Sequence, residues 1–176
     1  MIASLSLPRR YLAAFGPATL RDFQTWSGLS VAAETVEELR SELRVFATEE
    51  GRELFDVEGA PLPDGDTPAP PRFLPEYDNL MLGHADRTRV IPSEYRPQIF
   101  LSALRVRSTF LIDGFVHGAW RIERTKKKSA NTAVLSLEPF AALTQSELKA
   151  LTQEGEQLLR FTEPDAQSYE VRTEAP

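Results

Sequence analysis

A chain of 176 residues with 41% hydrophobic side chains fits one ordinary domain or two small ones and has material for a core, which excludes disorder throughout. With no cysteine and only His84 and His117 as histidines, disulfides, thiolate metal sites and cysteine nucleophiles are excluded and no metal-ligand cluster or cofactor is expected. The net charge of −6 opposes phosphate binding by the chain as a whole, yet residues 72–128 carry 11 basic against 6 acidic side chains, whereas 1–60 carry 6 against 10 and 129–176 carry 3 against 8.

The N-terminal stretch from Met1 to Leu7 lacks a basic start and its apolar run is broken by serines, so it reads as neither signal peptide nor membrane helix, and a cytoplasmic protein without membrane contact is expected. Ser6 is the expected cap of a first helix with Pro8 in its first turn and Tyr11, Leu12 and Phe15 as its apolar stripe, ended by Gly16-Pro17. Thr19 caps a second helix, with Asp22 three positions on, Leu20, Phe23 and Trp26 facing inward, and Gly28 as the stop. Ser30 opens a third, on which Val36, Leu39 and Leu43 define one buried face. Arg44 to Thr48 and Glu53 to Val57 then read as a hairpin joined through Glu49-Glu50-Gly51-Arg52, so the order helix, helix, helix, hairpin predicts a winged helix over 1–59.

Residues 60–71 are proline-rich, have no periodicity and read as an extended linker. Beyond them, Arg105 to Ile112 and Phe115 to Glu123 flank Asp113-Gly114, whose residues supply the positive φ angles of a tight hairpin turn. A second turn around Lys126 to Asn131 leads into Ala133 to Glu138, where Ala133, Leu135 and Leu137 alternate with outward positions, so three successive antiparallel strands are expected. Thr144 with Glu147 predicts a capping box for a helix that aligns Leu148, Leu151, Leu158 and Leu159, and the tail over 164–176 is expected to fray.

Several phrases carry a family resemblance: Tyr11-Leu12-Ala13-Ala14-Phe15-Gly16-Pro17-Ala18-Thr19 running on to Asp22-Phe23 and Trp26-Ser27-Gly28; Phe73-Leu74-Pro75-Glu76-Tyr77-Asp78-Asn79-Leu80 closing in Gly83-His84-Ala85-Asp86-Arg87; Phe110 to Arg121; and Leu137-Glu138-Pro139-Phe140. The chain resembles the C-terminal part of winged-helix DNA-binding-domain proteins whose characterised members are bacterial DNA glycosylases acting on interstrand crosslinks and bulky alkylated bases. That resemblance implies an α+β protein in which the winged helix is followed by a small antiparallel β-barrel-like domain with its C-terminal helix over 72–163. It also implies an association with DNA repair. Full members are longer, with tandem winged-helix units, and their activity depends on a Gln-hydrophobic-Gln pair. Here Gln24, Gln98, Gln145, Gln153, Gln157 and Gln167 include no two spaced two apart, so a non-catalytic or incomplete member is expected.

The third helix, where a winged helix offers side chains to the major groove, has Glu34, Glu37, Glu38 and Glu42 outnumbering Arg40 and Arg44, with Glu49, Glu50 and Glu53 on the wing. Like charges oppose its docking on phosphates. Candidate catalytic groups are Glu76 or Asp78 as a base or water-orienting carboxylate and His84 as a proton donor, against the simpler readings of turn chemistry, ion pairing and backbone hydrogen bonding. The nucleic-acid-binding candidates are Arg105 and Arg107, which share one strand face, and Arg121, Arg124, Lys126, Lys127 and Lys128 about the second turn, beside Trp120. A solvated hairpin tip is the alternative for the lysines, and a core position the alternative for Trp26 and Trp120. Three functions follow: weak, salt-sensitive association with DNA through the basic hairpins; an interaction module whose acidic winged helix binds a polypeptide, such as the missing N-terminal units, or a second copy of the chain; and a glycosylase or other hydrolase built on Glu76 to Arg87.

Overall fold

The computed structural model describes residues 2–30, 38–102, 105–127 and 130–175. They form a mixed α+β fold of two compact units, one comprising 1–67 with 79–87 and the other 68–78 with 88–176. Among the described residues no helix is long and apolar enough to cross a membrane.

In the first unit, helix α1 runs Ile2–Phe15 and α2 runs Leu20–Ser27. The first helix begins ahead of the expected Ser6 cap and takes Pro8 into its interior. One missing amide is tolerated because Leu7, Tyr11, Leu12 and Phe15 form a continuous apolar stripe, with Tyr11 and Leu12 buried. The second helix matches its sequence signals: Thr19 and Asp22 close a reciprocal capping box, and Gly28 ends the helix at φ 67°. Most of the segment expected to form a third helix, Val36 included, lies outside the described residues. It ends in a 3-10 turn, Arg40–Glu42, and Leu43, expected on the helix, instead opens strand β1. Strands β1, Leu43–Ala47, and β2, Glu53–Val57, pair antiparallel from Leu43↔Val57 to Ala47↔Glu53. Leu39, Leu43 and Phe55 join Tyr11, Leu12, Ala18 and Phe23 in one buried cluster. Helix α3, a single turn at Asn79–Leu82, completes this unit and buries Met81.

The second unit is organised on a five-stranded sheet. Its strands are β3, Arg72–Leu74, β6, Thr109–Ile112, β7, Phe115–Lys127, β8, Ala130–Pro139, and β9, Ser168–Thr173, in the order β3-β6-β7-β8-β9. Helix α4, Arg96–Ile99, leads into a small separate pair, β4, Phe100–Ser102, with β5, Arg105–Val106. The expected strand from Arg105 to Ile112 is therefore interrupted at Arg107 and Ser108 and serves two sheets. Asp113 and Gly114 take φ of 50° and 79°, the backbone demanded by the β6–β7 turn.

Among the described residues no sheet closes into the expected β-barrel-like arrangement. The sheet has two free edges, β3 and β9, and its apolar face is covered by helix α5, Gln145–Thr162, instead of by a return of the sheet on itself. Leu151 and Leu159 of α5 pack with Phe110, Ile112, Ala133, Leu135 and Leu137. The Thr144 and Glu147 capping box starts that helix as its sequence predicts. Val134 and Ser136, on the opposite face of β8, are buried as well, so the expected outward positions are covered too. The tail does not fray. Residues 168–173 pair parallel with β8, from Thr132↔Ser168 to Leu137↔Thr173, and the helix supplies the long crossover that a parallel pair requires. Alternation of Tyr169 and Val171 toward the core was the available signal.

Two glycines permit the close approaches in this unit. A Cβ on Gly155 would stand 2.6 Å from Leu135 Cδ2, and one on Gly118 would stand 2.3 Å from Phe110 Cζ and 2.5 Å from the Glu138 carbonyl oxygen. Phe110 is fully buried and the carbonyl belongs to the paired strand, so neither can retreat. Gly118→Ala is expected to cost about 1–3 kcal/mol and to lower Tm by several degrees. Gly65→Ala, which places a Cβ in open space, is expected to stay within about 0.5 kcal/mol of the parent in the same thermal melts.

Candidate nucleic-acid interface

The two phrases that dominate the sequence meet inside the first unit. Tyr11, on α1, donates its hydroxyl proton to the Gly83 carbonyl at 2.7 Å, and the His84 ring contacts the Phe15 carbonyl through Nε2 at 2.9 Å. Asp22 joins them. One of its carboxylate oxygens accepts the Thr19 amide at 2.8 Å and the Thr19 hydroxyl at 2.7 Å, and the other accepts the Ala85 amide at 2.8 Å and the Asp86 amide at 3.5 Å. Burial pushes the Asp22 carboxyl up, but the hydrogen bonds from Thr19, Ala85 and Asp86 outweigh it and hold the group below the usual carboxylate range. Around this network Tyr11, Phe15, Phe23 and Trp26 pack ring against ring at 5.1–6.3 Å, so Trp26 is a core aromatic.

The catalytic candidates are distributed accordingly. His84 is buried in the first unit with its ring against a backbone carbonyl, whereas Glu76 and Asp78 belong to the second unit. Neither unit by itself assembles the three. Arg87 donates to the His84 carbonyl at 3.2 Å, and Asp86 faces Arg52 at 3.9 Å, so the Gly83 to Arg87 phrase is committed to architecture.

The basic candidates converge elsewhere. In the second unit Glu76, Arg105, Arg107, Ser108, Trp120, Arg121, Ile122 and Glu138 line a cleft of about 340 Å³. Its floor is Trp120, whose indole N–H is shared between the carbonyls of Leu74 at 2.9 Å and Thr109 at 3.0 Å and whose ring meets Phe73 edge-on at 5.7 Å. Trp120 is half-buried and thus both packs and faces the cleft. Arg107 forms a two-pronged ion pair with Glu138, 31 residues away, with the Nη1 to Oε1 arm at 3.1 Å. The Arg107 hydrogen bond, opposed by burial and reinforced by the charges of Arg107 and Arg121, holds the Glu138 carboxyl below its usual range. Arg121 meets Glu123 at 2.8 Å and Glu174 at 2.6 Å, and Arg124 meets Glu163. Lys126 and Lys127 continue β7 opposite Asn131 and Ala130, and Lys128 lies outside the described residues. Sequence reasoning did not find Ser108 or Glu138 as cleft residues; Glu138 was visible within the Leu137 to Phe140 phrase, but no local pattern reveals a partner so far along the chain.

The model of the family described as DNA glycosylase AlkZ-like matches residues 3–161. The chain belongs to this AlkZ-like family. A search of the curated proteins gave no match. The DNA glycosylase AlkZ of Streptomyces sahachiroi shares the fold, with a TM-score of 0.75 at 23% identity over 98% of this chain. The chain spans 46% of that protein's length.

Asp22 is a pH-sensitive member of the first-unit network. Because its folded pKa lies below the unfolded carboxylate value of about 3.9, its stabilisation is fully present above that value and is lost as pH falls through the folded pKa. Asp22→Asn leaves an amide group facing backbone donors and is expected to cost about 1–3 kcal/mol near neutrality. In urea unfolding series from neutral to acid pH, the gap between parent and variant should shrink below about pH 4.

Proposed function

We propose that this chain is a DNA-associating, non-catalytic portion of a DNA-glycosylase-like repair protein, which meets phosphates through the second unit. The carrying observation is the convergence of Arg105, Arg107 and Arg121 on one cleft floored by Trp120, in a chain of a DNA glycosylase family. In the same reading the first unit is a winged helix, with α1, α2, the segment from Ser30 to Leu43 and the β1–β2 wing. It is acidic, with 6 basic against 10 acidic side chains over residues 1–60, and three of those cations face carboxylates: Arg40 clasps Glu53 at 2.5 and 3.2 Å, Arg9 pairs with Glu42, and Arg52 reaches Glu50 at 3.5 Å. This supports phosphate contact through Arg105, Arg107, Arg121 and Arg124, extended by Lys126, Lys127 and Lys128.

The ion pairs of Arg121 do not oppose that role. Arg121, Glu123 and Glu174 are each about half exposed, and solvent-exposed pairs contribute only about 0–1 kcal/mol, so phosphates can displace those glutamates. A few such contacts without base readout give a dissociation constant on the order of 10⁻⁴–10⁻⁶ M at physiological salt. Non-catalysis is supported by the lack of a Gln-hydrophobic-Gln pair and by the commitment of His84 to the Phe15 carbonyl.

Duplex binding measured by anisotropy between about 50 and 200 mM salt should weaken steeply with salt. Combined replacement of Lys126, Lys127 and Lys128 by alanine should weaken binding across unrelated sequences and flatten the salt slope, while Arg40→Ala should leave it unchanged. Loss of binding in Arg40→Ala with retention in the triple variant would assign the reading surface to the first unit. The acidic first unit favours a second reading, a polypeptide-binding module, which would replace the first if no duplex binds even at low salt. Alkylated or crosslinked duplexes should release no base above the enzyme-free control; release abolished by Glu76→Gln or Asp78→Asn would establish the hydrolase instead.

A further inference from the structure

The polar groups lining the second-unit cleft fall into two sets. Arg107 and Glu138 hold each other, Arg121 is held by Glu123 and Glu174, and the Trp120 indole is held by two backbone carbonyls. Among the described residues the side chains of Arg105, Ser108 and Glu76 have no hydrogen bond or ion pair. These three stand in one cleft with an exposed guanidinium, a half-buried hydroxyl and an exposed carboxylate unengaged. With Arg107 and Arg121 paired, Arg105 is the lining cation without a carboxylate partner among the described residues, and it offers a place for an anion. A bare anion explains Arg105 and Ser108, but the unpaired Glu76 carboxylate would repel it. A ligand that reaches Glu76 as well as Arg105 would carry a hydrogen-bond donor in addition to an anionic group.

The backbone beside Glu76 points the same way. Tyr77, the following residue, lies in the left-handed region at φ 59° while 47% exposed. A tyrosine there is held against its own preference, and such residues concentrate where a neighbouring side chain must be aimed. On the other side of Glu76, the Leu74 carbonyl is tied to Trp120 at 2.9 Å. Glu76 is thus fixed from both flanks at the rim of a space of about 340 Å³, within the size range of small-ligand sites.

We propose that this cleft binds a single nucleotide unit, with the phosphate taken by Arg105 and Ser108 and a hydroxyl or amino group of the same nucleotide donating to Glu76. Trp120 supplies the apolar floor. The inference deepens the reading above and rests on it for the nucleic-acid class of the ligand. Two sources carry this chemistry, a free mononucleotide and a 5′-phosphorylated strand end.

The test is a titration of the full chain, with the indole N–H resonance of Trp120 as reporter and that of Trp26 as reference. The probes are deoxyadenosine 5′-monophosphate, deoxyadenosine, inorganic phosphate, and one oligonucleotide with and without a 5′-phosphate. The monophosphate should move the Trp120 signal, and deoxyadenosine should not. Arg105→Ala should weaken the monophosphate roughly tenfold or more, with Arg105→Lys partly restoring it. Glu76→Ala should weaken the monophosphate yet tighten inorganic phosphate, since removing the carboxylate removes both an acceptor and a repulsion. Preference for the 5′-phosphorylated oligonucleotide over the mononucleotide assigns the strand end as the source, and the reverse assigns the free nucleotide. If Glu76→Ala tightens both anions alike, or Arg105→Ala leaves the monophosphate unaffected, the assignment is overturned. A parent chain that binds duplex but shows no Trp120 response to any nucleotide overturns this inference and leaves the proposed function standing; nucleotide binding without duplex binding does the opposite.

Discussion

The indole N–H of Trp120 decides the shape of the second unit's cleft. A half-buried donor must find an acceptor, and this one is shared by the Leu74 and Thr109 carbonyls. Strand β3 has only three residues and pairs on one side alone, so the Trp120 bond to its last residue adds a fastening that ladder pairing cannot extend. From that point the chain reaches Glu76 in two residues. On the other side, Thr109 opens β6 directly after Arg107 and Ser108, which leave the small β4–β5 sheet there. One side chain therefore fixes the two backbone segments that deliver Glu76, Arg107 and Ser108 to the same cleft.

The close approach of strands and helix follows the same economy of space. Gly118 removes a Cβ where Phe110 and the Glu138 carbonyl converge, and Gly155 removes one where α5 crosses Leu135 and Val171. Without these two positions the pairing that places Glu138 beside Arg107 would have to open. The Arg107–Glu138 pair is then a consequence of register, since Ala119 is opposite Glu138 and Thr109 opposite Ala119. The two charges neutralise each other, which leaves Arg105 as a cleft cation without a partner among the described residues.

The polar density of the sequence between Phe73 and Arg89 serves two purposes that only folding separates. Gly83 to Asp86 supply carbonyls and amides to Tyr11 and Asp22, and His84 meets the Phe15 carbonyl, so the first unit's core is held by backbone groups of a segment more than sixty residues away. Glu76 lies in the other unit with its carboxylate unengaged among the described residues. A high concentration of titratable side chains in sequence is therefore a poor guide to a reaction centre here, because His84 and Arg87 are engaged with backbone carbonyls and Asp86 faces Arg52.

The sequence by itself determined the local elements whose signals are short-ranged. Thr19 with Asp22 and Thr144 with Glu147 cap their helices, Gly28 stops one, and Asp113-Gly114 turns the β6–β7 hairpin, because each depends on residues within a few positions. It also carried the family membership, through phrases spread along the chain. The tertiary structure decided the rest. Whether the sheet closes depends on what covers its apolar face, and α5 covers it, so no barrel forms among the described residues. Whether the last residues fray depends on whether β8 offers an open edge, and it does. The cleft was legible only in part: Arg105, Arg107 and Arg121 stood out by charge, while Ser108 and Glu138 join them through strand register across tens of residues. Ion pairing, burial and free hydrogen-bonding capacity are properties of neighbours in space, and a linear pattern of residue types does not contain them.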